Sequence, residues 1–396
     1  MSNIEQFRED VRAWLAENCP LSMRGLMPAD EMVWGARNME FKTEDQRLWF
    51  ERMRDKGWFC PDWPTEYGGG GLSPEQTTVL SQEMRKLRCR PPQINLGIWM
   101  LGPVLLESGS EEQKREMLPP MARGEMRWCQ GFSEPNAGSD LASLQTNARL
   151  EGDEFIVNGT KIWTSYGDKS DWMYALVRTG PKEPKHAGIS LLLLDMHSPG
   201  VTVTPIDLIS GKSSFCQVFF DDVRVPASQL VGNINEGWAL AKALLTHERR
   251  AMSKFSEISL PTHFDLLDTL FEYLPQPETH ADIALFERAI ACRMDAHAFE
   301  LTQRRLSEAA RARQDVSGMV AIQKLVHSEQ EKDKFEVLLD VMGRRALGWD
   351  GPAFSSEQLA LSNTWLNAFS QAIAGGTSEV QLNVIAKRVL GLPEAK

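Results

Sequence analysis

Between residues 126 and 230 the chain changes its hydrophobic period, and that change limits what it can fold into. Before this block, apolar residues recur at the three-to-four spacing of helices. After Asn235 they do so again, in long runs broken by Pro261, Pro275 and Pro277. In between lie six short runs: RWCQGF, EFIVNGTKIWTS, WMYALVRT, ISLLLLDM, VTVTPI and FCQVFFDDVRV. They are rich in the β-branched and aromatic residues that pack well on a pleated, half-buried surface. Glu151-Gly152-Asp153 and Asn158-Gly159 read as hairpin turns, because glycine takes the left-handed backbone of such turns at little cost. The expectation is an α+β chain in three parts: helical over 1–125, antiparallel β over 126–230 and helical over 231–396.

Within the first part, Thr77–Arg88 and the run GSEEQKREML at 109–118 read as helices. Ser110 followed by Gln113 has the spacing of a capping box, in which each residue satisfies the other's unpaired backbone N–H. The loop PDWPTEYGGGGLSPEQ at 61–76 precedes the first of these helices. Its glycine run at 68–71 lacks a following Lys-Ser/Thr and is no phosphate loop. It reads as a flexible connector near an active-site mouth.

Charge and cysteine spacing narrow the function classes. A net charge of −11 argues against a nucleic-acid or anionic-membrane surface. The six cysteines are scattered, which fits neither a zinc site nor a disulfide framework and suggests the cytoplasm. MSNIEQFREDVRAWL is an amphipathic helix pattern with acids, unlike a signal or transit peptide. No apolar run approaches the roughly 20 residues of a membrane span, and LLLLDM at 191–196 reads as a buried strand. The seven histidines show no metal-like grouping, so no metal is expected. Most of the twelve tryptophans are assigned to cores, and Arg304-Arg305 and Arg311–Arg313 to a solvated helix face.

One carboxylate stands out. In NEGWALAKALLTHERRAMSKFSE, 235–257, a rotation of about 100° per residue gathers Trp238, Ala241, Leu244, Leu245, Met252 and Phe255 on one side. Lys242, Thr246, Arg249 and Arg250 fall on the other, and Glu248 lies within the apolar arc. An acid there is costly unless it is paired, hydrogen-bonded or protonated. Periodicity alone leaves two readings: an ion-pair partner for an arginine on another helix, or a general base with a raised pKa.

GFSEPNAGSD at 131–140, KIWTSYGDKSDW at 161–172, VFFDDVRVP at 218–226 and GGTSEVQ at 375–381 together resemble the acyl-CoA dehydrogenase family. WPTEYGG at 63–69 and GSEEQK at 109–114 fit the same order and spacing, so the resemblance spans the chain. It implies an N-terminal helical domain, a middle β domain and a C-terminal four-helix bundle. It also implies FAD as cofactor, α,β-desaturation of an acyl-CoA thioester and electron transfer to an electron-transfer flavoprotein. In many members the base is a glutamate just before Gly-Thr, where this chain has Gly375. Other members, acting on branched or long acyl chains, carry it on the first long helix after the β domain, followed by arginine. Glu248-Arg249 is similar to that arrangement, which favours Glu248 as base.

By the same resemblance, the Gly375 backbone N–H meets the thioester oxygen, and the small Ala374 beside it leaves room for a bulky acyl group. Phe132 and Ser133 lie along the flavin ring, while Gly138 and Ser139 face the thioester–CoA side or the pyrophosphate. Trp163 and Ser165 flank the flavin. Thr377 and Glu379 belong with the cofactor contacts, Thr377 being equally suited to a plain N-cap. Ser139, Arg249 and Ala374 are the expected substrate contacts.

The chain also departs from the family. Residues 259–300 lack the Arg-x-x-Phe-Gly motif that reaches a neighbour's FAD in many homotetramers. DVMGRRALG at 340–348 lacks the usual Gln and paired glycines. The expectation is a homotetramer or, because half of the FAD-sharing apparatus is missing, an α2β2 heterotetramer with a homologous subunit. Such heteromers resemble those serving steroid side chains and dicarboxylic or cyclic acyl-CoAs. A non-catalytic partner subunit, and a flavin oxidase, monooxygenase or desulfinase of the same fold, are the competing readings.

Overall fold

The protein is described from a computed structural model, which covers residues 3–25, 31–34, 36–211, 213–258, 265–312, 314 and 316–393. Pro261 and Arg313 lie outside the described residues. The chain divides into two compact units, Met1–Ile206 with Ser213–Leu260, and Asp207–Lys212 with Pro261–Lys396.

The first unit opens with helices α1 (Asn3–Asn18), α2 (Glu44–Asp55), α3 (Pro74–Lys86), α4 (Gly102–Ser108) and α5 (Glu111–Ala122). The capping box forms at α5: Gln113 N donates to the Ser110 hydroxyl, and Ser110 N donates to the Gln113 side chain, both at 3.1 Å. Ser73 and Gln76 build the same device at α3.

α1 and α3 are joined through Glu83, whose side chain is only 1% exposed and pairs with Arg8 at 2.8 Å and Arg12 and Lys86 at 2.9 Å. Hydrogen bonding from Arg12 leads the effects that hold its carboxyl down at about 2. A carboxyl depressed on folding stabilises the native state above its unfolded pKa of about 4.5 and loses that contribution as the pH falls. We therefore expect Glu83→Gln to be destabilised at pH 7 and to show a flatter decline of melting temperature between pH 4.5 and 2 than the native chain. Parallel acid-denaturation curves for the two proteins would contradict this.

The glycine run at 68–71 is not a flexible connector. The four amides from Gly68 to Gly71 donate to Thr65, Pro64, Cys60 and Trp63 carbonyls at 2.9–3.2 Å. A Cβ on Gly69 would lie 2.3 Å from the Trp63 carbonyl oxygen. These glycines allow two backbone stretches to touch, and the closeness makes the segment rigid.

Eight strands follow: β1 (Trp128–Gly131), β2 (Asn147–Glu151), β3 (Glu154–Ser165), β4 (Trp172–Arg178), β5 (Ile189–Asp195), β6 (Val201–Pro205), β7 (Phe215–Pro226) and β8 (Leu230–Val231). The sheet order is β6-β7-β3-β2-β4-β5-β8, with β1 against β4. Most pairs are antiparallel, but β1 runs parallel to β4, and β2 meets β4 at one parallel position. Gly152 turns the β2–β3 hairpin as expected, with φ at +65°. Asn158-Gly159 makes no hairpin. It lies inside β3, where the β3–β7 register shifts between Val157 and Gly159. There Asn158 exchanges hydrogen bonds with Asp222 across the ladder, so the turn-forming dipeptide serves a bulge.

Alternation along β4 shows where the core sits. Met173, Ala175 and Val177 join one apolar cluster with Phe155, Val157, Val218 and Val223. Tyr174 and Leu176 join another, with Leu191, Leu193 and the α1–α5 helices. Burial on both faces is why β5 reads as an unbroken apolar run. The unit closes with α6 (Gly237–Ile258), whose Ala241 and Leu244 are fully buried in that second cluster.

Two cysteines far apart in sequence, Cys19 and Cys89, come close enough here for each thiol to shift the other, which spacing did not reveal.

The second unit holds α7 (Leu266–Tyr273), α8 (His280–Arg311), α9 (Ser317–Met342), α10 (Ser356–Gln371) and α11 (Ser378–Val384). α7, α8, α10 and α11 all pack on α9, around Leu270, Ala289, Phe335, Leu338 and Leu361. Arg304 lies on the solvated part of α8, paired with Glu308. Among the described residues no helix is long and apolar enough to cross a membrane, and no His/Cys/Asp/Glu group of three or more is arranged to hold a metal.

Candidate functional site

The loop after β1, residues 132–146, is tied down from beneath. Glu134 and Ala137 exchange backbone hydrogen bonds of 3.1 and 3.0 Å, closing a tight turn. The Glu134 carboxylate then accepts from the amides of Gln145 at 2.7 Å and Thr146 at 3.0 Å, fastening the end of the loop to its start. The Lys161 ammonium, with no exposed surface, donates to the same carboxylate at 2.7 Å and to the Phe132 carbonyl at 3.1 Å. Arg178 donates to the carbonyls of Ala142 at 2.7 Å and Leu144 at 3.4 Å.

Burial is the largest single effect on the Glu134 carboxyl and raises it, but the Lys161 charge together with the hydrogen bonds from Lys161, Gln145 and Thr146 holds the group below the ordinary range. Burial draws the Lys161 ammonium below its ordinary value, against the attraction and hydrogen bond of Glu134.

What the anchored loop presents outward is small and open. Gly138 and Ser139 are exposed, and a Cβ on Gly138 would meet nothing within 4 Å. Phe132 is buried, with its ring edge-on to Tyr174 at 6.0 Å. Ser133 is half-buried, and its carbonyl accepts from Ile162 N at 2.9 Å.

One residue further along β3, the ladder with β7 slips between Lys161 and Thr164. The bulge turns Trp163 outward in a left-handed backbone, φ +59°, with 54% of its surface exposed. A bulky side chain at positive φ is strained, and such strain gathers at functional sites. Beside it the buried Thr164 hydroxyl has no hydrogen-bond partner, and Ser165 is half-buried opposite Phe215. An exposed indole, an open glycine backbone and free hydroxyl capacity suit a flat aromatic group with polar edges. That is the chemistry of a flavin.

Glu248 lies on α6 and is half-buried. Its charge is felt by Tyr174 on β4: burial first, then the Glu248 carboxylate, push that phenol well above its ordinary value of 10. Tyr174 is fully buried, and its hydroxyl donates to the Met100 sulfur at 3.4 Å. The half-buried Glu248 thus lies near enough for its charge to act on a fully buried phenol. Lys242, on the other arc, is exposed. Arg249 follows on the same helix; its side chain, like those of Met252 and Phe255, lies outside the described set.

In the second unit, Gly375 and Gly376 precede α11 with φ of +65° and +97°. Gly375 is exposed, and a Cβ there would meet nothing within 4 Å. Ala374 and Glu379 are exposed as well. Thr377 caps α11, its hydroxyl accepting from Val380 N at 3.2 Å.

The structure thus brings Phe132, Ser133, Gly138, Ser139, Trp163 and Ser165 together on neighbouring segments of the first unit. Sequence reasoning missed Glu134, Lys161, Arg178 and Tyr174. Glu134 and Lys161 both stand inside the quoted motifs, but nothing local says that they pair.

Family models cover nearly the whole chain: the acyl-CoA dehydrogenase N-terminal domain matches residues 2–125, the middle domain 129–223 and the C-terminal domain 235–390. The chain belongs to the acyl-CoA dehydrogenase family. It is 35% identical over 398 residues to acyl-CoA dehydrogenase IpdE1 of Mycobacterium tuberculosis, covering 100% of both chains. Among solved structures, it resembles the Tcur3481-Tcur3483 steroid ACAD with a TM-score of 0.76 at 26% identity, over 100% of this chain and 99% of that one. It resembles the ChsE4-ChsE5 complex from Mycobacterium tuberculosis with a TM-score of 0.75 at 27% identity, over 100% and 99%. The C-terminal family domain begins at residue 235, ahead of α6, whereas α6 packs with the first unit.

Proposed function

We propose that this acyl-CoA dehydrogenase desaturates the α,β bond of a bulky acyl-CoA thioester, of steroidal, branched, cyclic or dicarboxylic type, with Glu248 as the base. The observation that carries the reading is the half-buried Glu248 on α6, whose charge reaches buried Tyr174, in a chain whose residue 375 is glycine.

FAD, when bound, would supply the oxidant for the β-carbon. Trp163 would stack on it, Phe132 and Ser133 would line it, and Thr164 and Ser165 would offer hydroxyls at its edge. Ser139 and the open backbone at Gly138 would receive the thioester–CoA side. Glu248 would remove the α-proton. The Gly375 backbone N–H is our candidate donor to the thioester oxygen, where charge develops as the proton leaves. Its left-handed, uncrowded backbone lets another molecule approach closely. Ala374 and Arg249 remain substrate contacts in this reading, and Thr377 and Glu379 cofactor contacts.

The bulky substrate class and the α2β2 assembly are supported by the likeness to the steroid ACAD and to the two-component ChsE4-ChsE5 complex. The absent Arg-x-x-Phe-Gly motif agrees with a homologous partner chain. An electron-transfer flavoprotein is the proposed acceptor of the electrons, in the cytoplasm.

The test is anaerobic bleaching of the flavin, on the chain alone and co-expressed with a homologue. Straight, 2-methyl-branched, dicarboxylic and steroidal thioesters form the panel. We expect higher flavin content on co-expression and bleaching by a bulky thioester. A yellow protein that no thioester bleaches would overturn the dehydrogenase reading, and full flavin occupancy of the chain alone would remove the heteromer.

A further inference from the structure

The Glu134–Lys161 pair is an expensive thing to bury. Lys161 has no exposed surface and Glu134 has 8%, and two charges so placed contribute little to stability beyond what apolar residues of the same shape would give. Their position suggests another use. Lys161 precedes the bulge that turns Trp163 outward, and its ammonium holds the Phe132 carbonyl at 3.1 Å. The next residue, Ile162, holds the Ser133 carbonyl through its amide at 2.9 Å. One short stretch of β3 therefore grips the loop that carries Phe132 and Ser133 and, immediately after, displays Trp163.

Glu134 completes the device. It is the acceptor for Lys161 and also for the amides of Gln145 and Thr146, so the loop's two ends and β3 meet at one carboxylate. A glutamine there has one acceptor oxygen and one amide group that only donates, and cannot serve all three donors.

We infer that Glu134 and Lys161 are positioning residues for the cofactor: the buried pair sets the spacing between Phe132–Ser133 and Trp163, and so preforms the flavin-lining face before FAD arrives. This rests on the reading of that face as a flavin site. The pair touches neither cofactor nor substrate; it acts through the backbone that does. Arg178 also feels the Glu134 charge. Arg178 itself holds the far side of the loop at Ala142 and Leu144, and so supports the same shape.

Three variants of the full-length chain, freed of flavin and titrated with FAD, test the inference: Glu134→Gln, Lys161→Met, and the double variant Glu134→Leu/Lys161→Met. Lys161→Met leaves a buried carboxylate unpaired and is the variant most prone to misfold. The double variant removes both charges and keeps the volume, so it is the one expected to retain the fold. Folding is checked by the cooperativity of thermal unfolding. Hydrogen exchange at the amides of Gln145 and Thr146 reads the loop directly.

We expect the double variant to unfold cooperatively, to exchange these two amides faster and to bind FAD about tenfold or more weakly, the scale of losing charge-assisted hydrogen bonds. Glu134→Gln should fall between it and the native chain. A folded double variant that binds FAD as the native chain does would overturn the inference and leave the flavin reading intact. Weaker FAD binding with native exchange at both amides would also overturn it. A native chain that binds no FAD, either alone or co-expressed with a homologous subunit, would overturn both.

Discussion

Glu248→Gln is expected to yield a protein that stays yellow and folded but is no longer bleached by its thioester, with turnover reduced by about 10²- to 10⁴-fold. The side chain keeps its length and one acceptor oxygen, exchanges the other for an amide donor, and loses the ability to accept a proton as a carboxylate. The fold should tolerate the change. Ala241 and Leu244 hold α6 in place through complete burial, independently of position 248. Flavin content, melting temperature and the reductive half-reaction are the three measurements. Native-like bleaching in a folded, flavin-replete variant would reassign the base. Loss of bleaching together with loss of flavin would point to a structural role.

How much of this was legible in the sequence depends on how local the determining physics is. β3 and β7 were visible almost to the residue, since their apolar and β-branched runs are bounded by turn residues. β5 was visible because burial on both faces leaves no polar position to interrupt it. Glu248 drew attention because a carboxylate on an apolar helical arc is anomalous at a spacing of a few residues. The structure adds its half-burial on α6, while its role as base stays a proposal. Asn158-Gly159 misled because a bulge and a hairpin turn ask the same thing of a backbone, and the choice was made by Asp222 on another strand. The glycine run at 68–71 misled for a related reason: composition speaks of freedom, while Trp63, packed against Gly69, removes it. Lys161 carries no local signal of its role. Its partners, the Phe132 carbonyl and Glu134, lie on a loop that only the folded sheet brings near.

Trp163 offers the second large effect, and one in which stability and binding should part company. Its left-handed backbone is adopted freely by glycine, whereas an L side chain there costs about 1–2 kcal/mol. Trp163→Gly relieves that strain and forfeits the edge-on contact with Phe215 at 6.1 Å, worth about 0.5–1.5 kcal/mol. Glycine also adds freedom to the unfolded chain, on the order of 0.5–1 kcal/mol. The indole's packed area is lost as well, so the apo-protein should melt below the native chain while still unfolding cooperatively. FAD affinity should not survive so well. Stacking of a flat heteroaromatic on an exposed indole is worth about 1–3 kcal/mol, or roughly 5- to 150-fold in dissociation constant. Trp163→Phe, which keeps a ring and the strain, should recover part of that loss. The outcome is read by titrating apo-protein with FAD beside a thermal melt. Should Trp163→Gly bind FAD as tightly as the native chain, the exposed indole on the β3 bulge is no flavin platform, and the cofactor face must be sought elsewhere on the first unit.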